Sequence, residues 1–83
     1  MESFVRVLAF AGARDVVGVP EFRFALPAPC TASQLFDEIV LAYPGLEPYR
    51  SCVRLAINGT YAHGGDAVRT GDEVALIPPV AGG

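Results

Sequence analysis

Thr31-Ala32-Ser33-Gln34-Leu35-Phe36-Asp37-Glu38-Ile39-Val40-Leu41-Ala42-Tyr43-Pro44-Gly45 is the stretch that decides the architecture. Thr31 and Gln34 stand at capping-box spacing, Thr-x-x-Gln, where each side chain satisfies the other residue's backbone N–H. Leu35, Phe36, Ile39, Val40 and Tyr43 recur at helical spacing and form one broad apolar stripe, with Gln34, Asp37 and Glu38 on the other side. Burying each large stripe residue is worth roughly 1.5–3 kcal/mol before the entropy of ordering is charged. Pro44-Gly45 ends the helix, because the residue before a proline is disfavoured in the α region.

On either side of this helix the pattern changes to strands. Residues 3–10, Ser-Phe-Val-Arg-Val-Leu-Ala-Phe, are rich in β-branched and aromatic side chains. Residues 11–18 read as one or two helical turns closed by Gly18. Residues 21–26 alternate Phe22, Phe24 and Leu26 with Glu21, Arg23 and Ala25, the period of a half-buried strand, and Pro27-Ala28-Pro29 ends it. After the long helix, residues 47–51 are a polar connection. Residues 52–58 are a third strand closed by an Asn58-Gly59 turn, and residues 60–62 begin a short return strand. Residues 63–66 form a loop, Thr70-Gly71-Asp72 a turn, and residues 73–77 a last strand stopped by Pro78-Pro79. One long helix among four or five strands implies an α+β domain with a mixed sheet and the helix across one face. That is the outline of the β-grasp, ubiquitin-like fold, with the first and last strands parallel neighbours at the centre.

Strand parity assigns the faces. Val5, Val7, Ala9, Phe22, Phe24, Leu26, Val53, Leu55, Ile57, Val74 and Leu76 face the helix, while Glu21, Arg6, Arg23, Arg54 and Glu73 face away. The same parity sends Phe4, Leu8, Phe10 and Ile77 outward, where no long helix covers them. With the end strands parallel, Phe10 and Ile77 lie together beside the exit of residues 77–83. They form either a partner-docking patch or a surface covered by the short helix or first loop. Tyr61 follows the Asn58-Gly59 turn and is a further candidate for the patch, with its face left open.

Composition narrows the function classes. The 83 residues allow one domain, 1–83, and 52% hydrophobic against 18% charged residues makes it a folded one. There are six Arg and no Lys, and the net charge is -3 without a basic stripe, which argues against a nucleic-acid partner. No apolar run approaches the roughly 20 residues of a membrane span, and no leader is evident, so the expected setting is the cytosol. Cys30 and Cys52 are too few for a disulfide scaffold and lie in no Cys-x-x-Cys pair. They read as small buried hydrophobes rather than persulfide carriers. His63 and Asp66 read as a solvated loop rather than a metal site. Arg6, Arg23 and Arg54 are either a cationic strip for an acidic partner or an ordinary solvated face.

With so thin a catalytic inventory, the reactive group falls to the tail. Pro78 and Pro79 lack backbone donors and favour a stiff, extended path, so residues beyond them are expected to project. Gly82 and Gly83 make the slimmest peptide available, tipped by an α-carboxylate. Such an end can enter a narrow active site of another protein and place its carboxylate against a reactive phosphate. A frayed terminus is the alternative for glycines in this position.

The stretch Gly71-Asp72-Glu73-Val74-Ala75-Leu76-Ile77-Pro78-Pro79-Val80-Ala81-Gly82-Gly83 resembles the closing pattern of the small, sulfur-carrier subunits of molybdopterin synthase, the MoaD family. Support comes from residues 5–11 (Val-Arg-Val-Leu-Ala-Phe-Ala), from Ala13-Arg14-Asp15 with Gly18, and from Leu55-Ala56-Ile57-Asn58. The related thiamine carriers share the fold and the Gly-Gly end but usually lack the Pro-Pro-Val element. Ala9 and Leu76 stand where the family often has aromatics, and Asp15 where it has Glu. The resemblance implies that Gly83 is adenylated and then thiocarboxylated, with Gly82 giving clearance, while Phe10, Tyr61, Ile77, Pro78, Pro79, Val80 and Ala81 contact partners. It implies no stably bound cofactor, ATP being used by an adenylating and sulfurating activating enzyme. It further implies a large catalytic subunit, with which the chain forms a heterotetramer and delivers sulfur to cyclic pyranopterin monophosphate. Carriers for thiamine or tRNA thiolation, a ubiquitin-like modifier and a passive interaction domain are the competing functions.

Overall fold

Val5, Val7 and Ala9 alternate with Phe4, Arg6 and Leu8 along the first strand, and the alternation decides which side is covered. In the computed structural model, which describes residues 3–26 and 29–78, the three former residues are buried in the core. The strand, β1 (Phe4–Ala9), is followed by the short helix α1 (Ala11–Val17) and by β2 (Glu21–Ala25). A two-residue β3 (Cys30–Thr31) leads into the long helix α2 (Ala32–Ala42) and a 3-10 helix (Pro44–Tyr49). Then come β4 (Arg54–Ile57), β5 (Thr60–Tyr61), β6 (Ala67–Val68) and β7 (Glu73–Ile77). Five strands form one mixed sheet in the order β2-β1-β7-β4-β5, with β1 and β7 parallel at its centre and the remaining pairs antiparallel. This is the β-grasp arrangement expected from the sequence.

The local chemistry is as the residues dictate. The Thr31 hydroxyl accepts from the Gln34 N–H at 3.2 Å, and the Gln34 side chain accepts from the Thr31 N–H at 2.9 Å, completing the capping box. Gly18, at φ 91°, closes α1 by donating to the Arg14 carbonyl at 2.8 Å, a conformation that only a residue without Cβ adopts at little cost. Leu35, Phe36, Ile39 and Val40 of α2 pack with Val5, Val7, Leu55, Val74 and Leu76 of the sheet. Leu26 and Val53, just outside their strands, join this core, while Phe22, Phe24, Ile57 and Tyr43 pack partly buried at its margin. The helix-facing parity read from the sequence therefore holds on every strand.

Three expectations are corrected. Strand ends are shorter than read: 3–10, 21–26, 52–58 and 60–62 each lose one to three residues, because the flanking residues turn away to loops or helices. Residues 47–51 are no plain connection: Leu46, fully buried, anchors the 3-10 helix, and polar neighbours hid that anchor. A second, two-stranded sheet pairs Cys30 with Val68 and Thr31 with Ala67, clasping the start of α2 to the loop before β7. Ile77 is the last residue of β7, as the reading of residues 73–77 as the last strand expects, and it pairs with Arg54 rather than projecting. Pro27, Ala28, Pro79, Val80, Ala81, Gly82 and Gly83 lie outside the described residues.

Candidate functional site

β7 delivers the chain to its last residues, and its start is rooted by hydrogen bonds. Asn58, at φ 51°, opens the turn to Gly59, a position where Asn is one of the few tolerated side chains. Its amide donates to the Asp72 carboxylate at 3.1 Å and accepts from the Glu73 N–H at 2.9 Å, while its own N–H donates to the Glu73 carbonyl at 2.8 Å. The second Asp72 oxygen accepts from the Arg69 N–H at 2.9 Å. On the other flank the Arg6 N–H donates to the Asp72 carbonyl at 3.0 Å, and the Thr70 hydroxyl meets the backbone of Phe4. The Gly-Asp-Glu motif is thus an anchor that sets the register of β7 between β1 and β4.

The far end of β7 is apolar. Leu76 is fully buried, and its carbonyl accepts from the Phe10 N–H at 3.3 Å, which brings Phe10 beside Ile77. Phe10 is 47% exposed, so neither α1 nor the first loop covers it. α1 instead buries Ala13 in the core and packs Val16 and Val17 against it. The pairing of Tyr61 with Ala56 settles its face: Ala56 is on the open side, and so is Tyr61, 56% exposed. Leu8, Phe10, Ile77 and Tyr61 therefore form one patch, floored by the small residues Ala75 and Ala56, at the end where the chain leaves the sheet. Of the residues assigned to the site, Phe10, Tyr61, Ile77 and Pro78 are brought to this end. The remaining ones, 79–83, fall outside the described residues.

The arginines are not a free cationic strip. Arg6 pairs with Glu73 and, at 3.8 Å, with Glu21. The guanidinium of Arg23 lies 4.7 Å from the centre of the Phe4 ring, and that of Arg54 lies 4.6 Å from the centre of the Tyr61 ring. Arg54 thus joins the apolar patch as its charged rim, a role missed in the sequence although shared strand parity could have shown it. The open face divides into a charged half around Arg6 and an apolar half around Ile77.

The other candidates do little chemistry. The Asp66 carboxylate accepts from the His63 N–H at 2.9 Å and so closes its own loop. Among the described residues there is no group of three metal-ligating side chains, and no polar side chain is buried. Cys52 was expected to be buried but is exposed, because β4 starts only at Arg54; its Sγ lies 3.4 Å from the Tyr49 carbonyl. For Cys30, burial and, secondarily, the nearby Glu38 push the thiol above its ordinary value of 9.0, so at neutral pH it is not a thiolate nucleophile.

Comparison with known proteins agrees with this geometry. Residues 7–83 match the model of the ThiS family. The molybdopterin synthase sulfur carrier subunit of Arabidopsis thaliana is 44% identical over 79 residues, covering 95% of this chain and 82% of the relative. The human protein of the same name is 37% identical over 82 residues, covering 95% of this chain and 93% of the relative. Among solved structures, small archaeal modifier protein 1 of H. volcanii superposes with a TM-score of 0.83 at 30% identity, covering 94% of this chain and 99% of the other.

Proposed function

The chain belongs to the ThiS family, and on that premise we propose that it is the sulfur carrier subunit of a molybdopterin synthase, with Gly83 as the carrier residue. The observation that carries this reading is the extent of the likeness. It runs from β1 through the last glycine, and relatives at 37–44% identity bear that subunit name. The geometry supports it. A strand paired on both sides, rooted at Asn58 and Asp72, aims the chain out past an exposed apolar patch.

In this reading the Gly83 carboxylate attacks the α-phosphate of ATP held by an activating enzyme, and pyrophosphate leaves. Sulfide delivered by a donor then attacks the acyl carbon, and AMP leaves. The resulting thiocarboxylate reaches the active site of the large subunit, where its sulfur bonds to cyclic pyranopterin monophosphate and water then cleaves the acyl–sulfur bond, returning the Gly83 carboxylate. Gly82 keeps the peptide narrow, and Pro78, Pro79, Val80 and Ala81 lie along the entry channel. Phe10, Tyr61 and Ile77 seat the body against each partner in turn. The carrier holds no cofactor of its own and works in the cytosol, in a heterotetramer with the large subunit. The acid and base groups of each step are those of the partners.

Mass spectrometry tests the reading. Incubation with the activating enzyme, ATP and a sulfur donor yields a species heavier by one oxygen-to-sulfur exchange, mapped to Gly83. Unchanged mass under conditions that load the human relative overturns it. The archaeal modifier neighbour favours a second reading, attachment of the tail to amines of target proteins. Adducts that survive reducing agent and retain Gly83 in an isopeptide bond would select that reading.

A further inference from the structure

The sheet ends on one side in β2, and among the described residues no strand lies against its outer edge. The Ala9 N–H donates to the Pro20 carbonyl at 2.9 Å, and the Leu26 N–H donates to the Ser3 carbonyl at 2.9 Å. In the antiparallel register that pairs Val7 with Phe22 and Val5 with Phe24, this alternation turns the backbone groups of Phe22 and Phe24 toward β1. The N–H and C=O groups of Glu21, Arg23 and Ala25 therefore point outward from the sheet. Proteins usually blunt such an edge with a bulge, an inward-pointing charge, a very short strand, a proline or exposed charges. Here the register from Glu21 to Ala25 is unbroken, Pro20 stands just before the strand, and the two edge charges, Glu21 and Arg23, are of opposite sign on the open face, so they repel most partners but can match a second copy of the same edge.

The geometry points to a second copy of this chain as the occupant of the edge, paired antiparallel about a two-fold axis at Phe22. Outward-facing backbone groups must meet one another, which leaves three central registers. With the axis at Arg23, Arg23 faces Arg23 of the second copy, and like charges directly opposite are destabilising. With the axis at Phe24, Arg23 faces Ala25 of the second copy and neither charge finds an opposite partner in the strand. With the axis at Phe22, Glu21 faces Arg23 of the second copy and Arg23 faces its Glu21, while the two Phe22 rings meet at the axis on the helix side. The charge pattern selects the register centred on Phe22. Glu21 is free to turn, because its bond to Arg6 is long at 3.8 Å and Arg6 keeps Glu73 as a partner. Phe22 is only half-buried, its ring centre 5.1 Å from that of Tyr43, and gains cover from its twin. The dimer is a continuous ten-stranded sheet in which the two β7 strands run in opposite directions. In each copy β7 lies two strands in from the pairing edge, so Phe10 and Tyr61 stay exposed, Ile77 stays half-buried, and the pairing is independent of the proposed sulfur chemistry.

Sedimentation equilibrium of the intact chain tests this across a concentration series reaching millimolar. The expected result is a reversible monomer–dimer equilibrium. Glu21→Arg and Arg23→Glu should each raise the dimer dissociation constant about tenfold or more. The double variant Glu21→Arg/Arg23→Glu should restore it, and circular dichroism should report the same fold for all three. A monomer at every concentration overturns the proposal. So does a dimer indifferent to the single reversals, or one that the double reversal fails to restore. Single reversals that weaken binding to another protein, with no self-association in the parent chain, would assign the edge to that protein instead.

Discussion

The two ends of β7 are held by different physics. At its start, side-chain and backbone hydrogen bonds converge from three directions on Asp72 and Glu73, through Asn58, Arg69 and Arg6. At its end the hold is apolar: Leu76 is fully buried inside, while Ile77 sits outside beside an exposed Phe10. Hydrogen bonds are directional and set register, so the start decides which residue of β7 faces which neighbour. Apolar contact is non-directional and can be shared with a partner, so the end is suited to docking. A rooted base and an adaptable tip suit the proposed role, in which one terminus is presented to a partner.

The largest effect that sharpens this contrast lies beyond the tip. Deleting Gly82 and Gly83 should abolish sulfur loading, read by mass spectrometry, yet leave the thermal midpoint unchanged, because a glycine has no side chain to bury. Next comes the inner side of the tip. Leu76→Ala should cost about 3 kcal/mol in urea unfolding, a large part of the roughly 4–12 kcal/mol expected for a domain of this length. Ile77→Ala, one residue on and only half-buried, should cost about 1 kcal/mol. Equal losses at the two positions would break the division between an inner and an outer side.

Phe10→Ala should weaken binding to the large subunit at least tenfold, about 1.4 kcal/mol by calorimetry, while changing stability by less than about 0.5 kcal/mol. The reverse split would make Phe10 a core residue. At the root, Asn58→Ala removes two side-chain hydrogen bonds and places Ala in the left-handed region. About 1–2 kcal/mol of stability should be lost without any loss of partner affinity beyond that expected from unfolding. The smallest effect is at Ala11, which carries φ 48° at the hinge between Phe10 and α1. Ala11→Gly should relieve that conformation and, net of the added unfolded-state entropy, stabilise by about 0.5 kcal/mol in the same urea assay.

Much of this was legible in the residues. The capping box at Thr31 and Gln34, the stripe from Leu35 to Val40 and the alternation in β1, β2 and β7 are local signals, because each depends only on the period of a helix or strand. Phe10 and Ile77 were legible as a pair once β1 and β7 were taken as parallel neighbours. Other features resisted. β3 and β6 are two residues each, too short to show a period, and pair across more than thirty intervening residues. Leu46 lies between prolines and a glutamate and shows no stripe, yet is fully buried under the 3-10 helix. Cys52 read as a strand residue because Val53, Leu55 and Ile57 follow in alternation, but the chain turns before Val53 and leaves the thiol exposed.

Sequence alone determined the fold class and the buried side of each strand, since these follow from residue type and periodicity. Tertiary structure decided the rest. It showed that Tyr61 shares the open face, that Arg6 is spent on Glu73 and Glu21, and that Arg54 rims the apolar patch. It also revealed Asn58 and Asp72 as the root of β7. Each of these depends on register between segments distant in sequence, and register is a property of the assembled sheet, set only when all its strands are paired.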